Sequence, residues 1–562
     1  MFFVRNAVAD PIAAPKPAQV VPLAPAEAPE LRRRPGERPP RILPPIEESE
    51  ALPDPNRSGG LKAVLPASLP TVAPERYDAQ APTALIDRWR LIDSLGLVEE
   101  RWYDSYHPST IKGDRPWRVT ADGKRQFLSL TITNNSTTEL RRLPALIDGA
   151  ALSQRFWQQS LIASLDYQQG NTTFQPPDWS LRFTPVSLSS YLTVPDGTGR
   201  SHRIDSFLGV QELYGDHFLR TVSPRYDFDS LRIGIQPLSS DFRGFLFQDN
   251  QLAARLYGTR DGNRWQYNLV YVKRLAENAA SGLNDLAAKP RNEDIVLANV
   301  YRQDWPVQGF NAQALVAHVE NRERRVGHGV SYIAANGDGH LGWLNLTASM
   351  SLAAGRQHQS LTAAEARTVL AGFAAAEASI DRDWLRYRLS ALYQSGDGDP
   401  DDDLATGYDA IAENPIFAGA DTAYWSRQSL PFAGGRRLSS RNGLLNGLRS
   451  TADAPTANFE NPGLLLAGLG SDADLTPTLR LSTNVNHLWF ERTATLSRLA
   501  NTRVASNDIG WDLSCAAIWR PFFTQNVVLR LSGAWLIPGD GLRAAYPDSA
   551  GYSLLGNFIF TY

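Results

Sequence analysis

The C-terminal stretch GYSLLGNFIFTY, residues 551–562, decides the fold. Tyr552, Leu554, Phe558, Phe560 and Tyr562 all occupy even positions in it. Successive side chains of a β-strand point to opposite faces, so these five residues share one face. The stretch therefore predicts a strand with an apolar, aromatic-rich face.

The same two-residue period runs backwards through the chain as far as Phe127. Apolar residues alternate with polar ones in segments that are often nine to twelve residues long. Examples are Leu128–Leu130–Ile132, Trp179–Leu181–Phe183, Leu231–Ile233–Ile235, Trp265–Tyr267–Leu269–Tyr271, Tyr387–Leu389–Tyr393, Leu481–Thr483–Val485, Trp511–Leu513–Trp519 and Leu529–Leu531–Trp535. Ordinary strands average about 5–6 residues, so these segments are unusually long.

Composition favours a membrane location for these strands. The 562 residues are 43% hydrophobic and include 14 Trp, 19 Tyr and 22 Phe, yet the mean hydropathy is only −0.30. The longest apolar run, Gly463 to Gly470, is far shorter than the ~20 residues of a membrane-spanning helix. A transmembrane β-barrel explains both facts, because only every second residue faces lipid.

The pattern predicts an all-β fold, a transmembrane antiparallel up-and-down β-barrel over residues 125–562. Aromatics at the ends of the apolar faces, such as Trp511 with Trp519 and Tyr387 with Tyr393, fit the two girdles of such a barrel. About 17 segments alternate, and bacterial barrels normally have an even number of strands. We therefore predict about 18 strands, within a range of 14–20. Residues 396–474 lack the alternation and are predicted to be a long loop that constricts the lumen.

The N-terminal region differs in composition. Sixteen of the 37 prolines lie within residues 1–80, so residues 1–82 are predicted to be a disordered Pro-rich periplasmic segment. It is either a tail without a partner or a tether to a periplasmic partner. Residues 83–124 are predicted to be an entry segment with a short helix over residues 83–99, which sits at the barrel entrance, plugs the barrel or simply bridges to it. Met1–Val4 is too short for the apolar core of a signal peptide, but Ala7-Val8-Ala9 resembles a cleavage site, so we expect a missing or truncated signal peptide.

The sequence resembles a large set of porin-like outer-membrane proteins of Gram-negative bacteria, most of them uncharacterised. The likeness spans residues 84–562. It is carried by YDSY (103–106), KGD (112–114), SDFRGF (240–245), YRQD (301–304), SGDGDP (395–400), NPIFAG (414–419) and NPGLLL (461–466). A more distant likeness is to alginate-export porins. The terminal Phe558, Phe560 and Tyr562 resemble the C-terminal assembly signal of outer-membrane barrels. The resemblance implies a Gram-negative outer-membrane location, with membrane lipid and the barrel-assembly machinery as partners.

Arginines recur on the polar faces of the predicted strands. They are Arg182, Arg232, Arg255, Arg386, Arg388, Arg480 and Arg530. We expect few acids, such as Asp512, to share these faces. Rings of arginine in a pore favour anions, and the guanidinium group binds carboxylate and phosphate in a bidentate manner. The alternative is that these arginines pair with acids of the loops and merely stiffen the barrel wall.

Other chemistry is sparse. Asp397, Asp399 and Asp401 could bind Ca²⁺ in the long loop, but Asp402 and Tyr408 stand where an EF-hand needs Gly and Glu, so a solvated acidic loop is the stronger interpretation. No other cofactor is predicted.

The single Cys excludes a disulfide framework, and a net charge of −3 argues against nucleic-acid binding. The chain shows no hydrolase or kinase motif, so we predict a protein that is not an enzyme.

Two functions of different kinds remain. The first is a porin-like channel for passive diffusion of small polar, anionic solutes. The second is a plugged barrel that acts as a scaffold or sheath for a partner, such as an electron carrier or a polysaccharide being exported. A soluble all-β carbohydrate-binding protein is a third and weaker hypothesis, because sandwiches also alternate.

Overall fold

The computed structural model describes residues 109–143, 152–170, 176–196, 199–278, 281–323, 327–358, 366–419, 422–427, 457–499, 501–522 and 526–562. The Pro-rich segment, the helix predicted within residues 83–99 and the start of the chain lie outside these residues. None of the helices in the described ranges is long and apolar enough to span a membrane.

Eighteen long strands in the described residues close into one antiparallel barrel, as the sequence predicts. They are β1 (Arg125–Leu143), β2 (Leu152–Gln169), β3 (Trp179–Asp196), β4 (Gly199–Thr221), β5 (Phe228–Ser239), β6 (Gln248–Arg260), β7 (Trp265–Lys273), β8 (Glu293–Arg302), β9 (Phe310–Asn321), β10 (His328–Leu341), β11 (Leu344–Gln357), β12 (Arg367–Arg382), β13 (Leu385–Gln394), β14 (Leu464–Thr476), β15 (Leu479–Trp489), β16 (Asp508–Trp519), β17 (Val527–Pro538) and β18 (Gly551–Thr561). Each strand pairs with its neighbours in sequence, and β18 pairs with β1 from Thr133↔Thr561 to Arg142↔Tyr552.

Shorter elements lie between these strands. Arg118–Val119 pairs with the start of β1, and Leu404–Ala405 pairs in parallel with β12. The described residues contain three short helices, α1 (Tyr424–Arg427), α2 (Ala494–Leu499) and α3 (Asp540–Ala545). The long loop ends earlier than the sequence predicts, because β14 begins at Leu464 rather than after residue 474. Leu464 and Leu466 are buried on the inward face of β14, so apolar residues follow one another here without polar residues between them and conceal this strand in the sequence.

The two faces of the wall differ as the alternation predicts. On β13, Tyr387, Leu389 and Tyr393 are exposed on the outward face, whereas Ser390, Leu392 and Gln394 are buried on the inward face. Exposed aromatics mark both ends of the outward face. The end at which Tyr562 lies, here called the terminal end, carries Trp179, Trp265, Trp343, Trp384 and Trp519. The opposite end, here called the loop end, carries Trp157, Tyr393, Trp511 and Trp535.

Residues 109–119 complete the sheet where β18 stops. The last residue, Tyr562, exchanges backbone hydrogen bonds with Ile132, at 2.8 and 3.1 Å. Nearer the terminal end, Leu130 N–H donates to the Ile111 carbonyl at 2.7 Å, and Trp117 N–H donates to the Gln126 carbonyl at 2.9 Å. This segment therefore covers an edge of β1 that would otherwise present unpaired backbone groups. The described part of residues 83–124 forms an edge strand and turns.

Candidate functional site

A segment of the long loop folds into the barrel. Residues 407–419 and 422–427, here called the strap, follow Leu404–Ala405. The strap runs beside the connection between β5 and β6, residues 240–247, here called the inner loop. Gln248 N–H donates to Ala412 O and Asn414 N–H to Gly244 O, both at 2.8 Å, and Ile416 N–H donates to Arg243 O at 2.9 Å. These bonds satisfy backbone groups that would otherwise be buried without partners.

Gly244 permits this close approach. Its φ is +74°, in the left-handed region, and a Cβ atom there would lie 2.7 Å from the Asn414 carbonyl oxygen. Both conditions favour glycine. The inner loop and the strap carry two stretches on which the family resemblance rests, 240–245 and 414–419, so residues far apart in sequence meet in this one feature.

Aromatic packing holds the strap against the wall of β10–β12. Tyr408 is almost wholly buried, its ring lies 5.3 Å from that of Phe373, and its hydroxyl lies 2.6 Å from Ser351 Oγ. This burial raises the pKa of the Tyr408 hydroxyl well above its usual range. Phe245 of the inner loop packs 5.0 Å from Phe373 and 5.4 Å from Phe417. The result is an apolar seam between the strap, the inner loop and the wall.

The strap is also anchored to the opposite part of the wall. The backbone N–H groups of Tyr424 and Trp425 donate to the Asp512 carboxylate at 3.2 and 2.6 Å. The Tyr424 hydroxyl donates to Arg142 O at 2.6 Å, and Asn486 Nδ2 donates to Ala418 O at 3.0 Å. Asp512 is fully buried. The strap therefore crosses the lumen from β10–β12 to β15, β16 and β1.

A cavity of about 180 Å³ lies between the strap and the wall. The strap contributes Ile416–Gly419 and Thr422, and Arg243 of the inner loop reaches into it. Its charged lining comprises four guanidinium groups and two carboxylates: Arg243, Arg388, Arg480, Arg530, Glu377 and Asp472. Guanidinium groups therefore outnumber carboxylates two to one at this surface.

The seven arginines predicted from the sequence all stand on the inward face, in two groups. Arg386, Arg388, Arg480 and Arg530 lie on β13, β15 and β17, and the last three line the cavity. Arg182, Arg232 and Arg255 lie on β3, β5 and β6. The Arg232 guanidinium lies 4.4 Å from the ring of Tyr214, and that of Arg255 lies 4.7 Å from the ring of Tyr257. The sequence could not assign these residues to separate groups. The alternation within one strand does not show how that strand is aligned with the others around a closed barrel.

The expectation that few acids share the arginine faces is wrong. Arg182 pairs with Glu212 and Arg232 with Asp216, both at 2.7 Å, while Arg388 pairs with Asp472 at 3.2 Å. Arg386 binds Asp381 and Arg480 binds Asp474, each through two hydrogen bonds. The acids lie mostly on neighbouring strands at matching register, where cross-strand pairing brings opposite charges together. The wall is therefore a lattice of ion pairs rather than a purely cationic surface.

Arg243 was not among the predicted residues. It lies in a loop and has no strand alternation to mark it. Its guanidinium donates to Thr347 Oγ1 at 2.7 Å and lies 3.7 Å from Asp338 and 3.8 Å from Glu377. The only signal in the sequence was its position within the stretch SDFRGF. The sequence predicts Asp512 to be an acid of the polar face, but its role as the strap anchor depends on tertiary contacts.

The three aspartates considered for calcium are not brought together. Asp397 is buried and accepts a hydrogen bond from Thr406, Asp399 accepts one from the Asp401 backbone, and the Asp401 carboxylate pairs with Arg498. Within the ranges that the structure describes, no three Asp, Glu, His or Cys side chains are arranged to hold a metal ion. At the C-terminus, Phe558 and Phe560 are exposed on the outward face.

No family model matches the chain, and no curated protein matches it. Similar solved structures include three from Pseudomonas aeruginosa. OccK9 (OpdG) is 12% identical with a TM-score of 0.45, over 77% of this chain and 98% of that chain. OpdK with vanillate is 12% identical with a TM-score of 0.44, over 77% and 98%. OccD3 (OpdP) is 10% identical with a TM-score of 0.45, over 81% and 95%. At these values the likeness adds nothing to the strand pairing described above.

Proposed function

We propose that this chain is an outer-membrane channel through which small anionic solutes diffuse, with selection at the cavity beside the strap. The observation that carries the proposal is the lining of that cavity, in which four arginines face two carboxylates. Arginine side chains on a pore wall lower the electrostatic barrier for anions and raise it for cations. The strap narrows the lumen, so a passing solute approaches this lining closely.

The outward face supports the location. Exposed Leu, Val, Ile and Phe side chains lie between the two rows of aromatics, which is the arrangement that lipid and its two interfaces favour. Outer-membrane barrels have short periplasmic turns and longer external loops. We therefore place the terminal end in the periplasm and the loop end outside the cell. Extraction tests the membrane location: release of the protein from membranes by high salt without detergent would contradict it.

The test of selectivity is the reversal potential of the purified full chain in a planar bilayer under a potassium chloride gradient. We expect the reversal potential to have the sign that results when chloride passes more readily than potassium. The double variant Arg388→Gln/Arg480→Gln leaves Asp472 and Asp474 without their guanidinium partners, so its preference should shift towards cations.

Arg386→Gln is the matched control. Arg386 is also on the inward face of β13 and forms a bidentate pair with Asp381, but it does not line the cavity. Its removal should change the reversal potential much less than the double variant does. Cation preference of the wild type would overturn the anionic part of the proposal. A protein inserted in the bilayer without conductance steps would favour the plugged scaffold instead.

A further inference from the structure

A row of uncharged polar side chains crosses the outward face of β1–β4. Ser136 pairs in register with Gln159, Gln159 with Ser189, and Ser189 with Ser206. These four residues, with Asn134 beside them on β1, are here called the polar row. Its members are partly or fully exposed. They stand in the outward positions of their strands, alternating with buried inward residues such as Asn135, Thr137, Gln158 and Ser160.

The polar row lies within the apolar band of the barrel. On β2, the outward residues on either side of Gln159 are Trp157 and Leu161, both more than 40% exposed. On the other side of β1, Ser136 faces Phe558 and Asn134 faces Phe560 in register. The row is thus one outward position from the aromatic Trp157, in the part of the wall that acyl chains would otherwise cover.

The side chains of the row satisfy one another only in part. The Gln159 side chain bonds to Ser136 and Asn134, and Ser189 Oγ lies 3.1 Å from Ser206 Oγ. Each amide offers two donor hydrogens and an acceptor oxygen, and each hydroxyl both donates and accepts. The side chains of the polar row therefore keep donors and acceptors for further hydrogen bonds. Polar groups that face hydrocarbon lose hydration without compensation, which costs free energy.

We infer that the outward face of β1–β4 binds the same face of a second copy of this chain. Acyl chains cannot hydrogen-bond with the row, and a lipid phosphate would call for Lys or Arg, which the row lacks. Side chains that both donate and accept hydrogen bonds can bond to the same side chains of a second copy across a two-fold axis. Such an interface replaces hydrocarbon with hydrogen-bonding partners, as polar residues do between membrane-embedded segments.

Strand length adds to this argument. β1–β4 have 19, 18, 18 and 23 residues, whereas β13 has 10. A tilted strand needs only about 9–11 residues to cross the bilayer. The wall of β1–β4 therefore continues beyond the apolar band at the loop end, where lipid tails do not reach. This extension enlarges the surface available to a second copy towards the ~1,000 Å² that a specific interface needs.

The inference rests on the proposed membrane location but not on the solute. Its test is the mass of the full chain in dodecyl maltoside, by light scattering with detergent correction. We expect twice the chain mass for the wild type and the single-chain mass for Ser136→Leu/Gln159→Leu/Ser189→Leu. Ser471→Leu/Thr483→Leu is the matched control, because these two residues form an outward hydroxyl pair on β14 and β15. The control should keep the wild-type mass.

Cross-linking in native membranes provides a second measurement. In a Cys515→Ser background, Ser189→Cys should form a disulfide-linked dimer on mild oxidation, and Thr483→Cys should not. A wild type of single-chain mass together with no cross-link through Ser189→Cys would overturn the inference. So would a triple variant that keeps the oligomeric mass. If the protein of single-chain mass still conducts with the expected selectivity, the proposed channel function stands although the dimer inference fails. Failure of the inference and failure of the proposed function are therefore distinguishable.

Discussion

Individual side chains in this barrel take their roles from what the fold places opposite them. Arg386 and Arg388 are two residues apart on one strand face and look equivalent in the sequence. In the structure, Arg386 is half exposed and paired with Asp381, whereas Arg388 lines the cavity beside the strap. The side-chain period predicts that both arginines point inward. Which one can meet a solute depends on where the strap crosses.

Asp397 provides a residue-scale prediction about pH. Burial in the folded loop raises the pKa of its carboxyl from 3.8 to about 6, and the nearby Asp402 and Glu460 add to the effect. The folded loop therefore favours the protonated form. Its stability is undiminished below the ordinary pKa of 3.8 and falls as the pH rises through about 6. Hydrogen exchange, corrected for its intrinsic pH dependence, should show weaker protection of residues 395–408 at pH 7.5 than at pH 4.

Asp397→Asn should remove most of this pH dependence, because the amide carries no charge at either pH. Asp401→Asn is the control: the Asp401 carboxylate is exposed and pairs with Arg498. We expect this variant to keep the wild-type dependence. Equal protection at both pH values in the wild type would contradict the prediction.

At the scale of elements, the strap crosses the lumen and forms one side of the arginine-lined cavity. The absence of alternation predicts the loop, and its length favours a functional role. The sequence does not predict its path across the lumen, because that path depends on contacts between residues hundreds of positions apart. The inner loop lies more than 150 residues before the strap, and Asp512 follows the strap by more than 80.

Removal of the Asp512 anchor should loosen the strap. The carboxylate accepts two backbone N–H bonds from α1, and its loss leaves these donors buried without an acceptor. Such a change typically costs about 1–3 kcal/mol. We expect Asp512→Ala to give larger or noisier single-channel conductance than the wild type, with the barrel still inserted.

The control for this experiment is Asp381→Ala, which removes an exposed inward carboxylate at the terminal end that does not contact the strap. Its single-channel noise should resemble that of the wild type. Wild-type conductance and noise in Asp512→Ala would mean that α1 does not hold the strap in place.

At the scale of the whole molecule, closure depends on the seam between β1 and β18. β18 is 11 residues long and β1 is 19, so β18 cannot cover all of β1. Part of the remaining edge pairs with residues 109–119. An open edge in a barrel wall would leave backbone groups without partners. The segment before β1 is thus part of the barrel rather than a linker to it.

Trp117→Pro tests this closure. Proline removes the N–H that bonds to Gln126 O, at a typical cost of about 1 kcal/mol. We expect faster hydrogen exchange at residues 125–131 and a lower temperature for the heat-induced shift of the barrel on gels. Trp117→Leu keeps the backbone donor and should retain the exchange protection of these residues. Equal exchange in Trp117→Pro and Trp117→Leu would show that this pairing does not stabilise the seam.

Alternation alone specified the strands, their two faces and the approximate strand number, because side-chain direction in a strand is a local property with a period of two residues. It did not specify which acids neutralise the arginines, since those pairs lie across strands and depend on register. It also missed β14 before residue 474, where Leu464 and Leu466 on the inward face break the alternation of apolar and polar residues. Tertiary structure decided the path of the strap, the cavity beside it and the position of the polar row, because each of these joins residues that only barrel closure brings together.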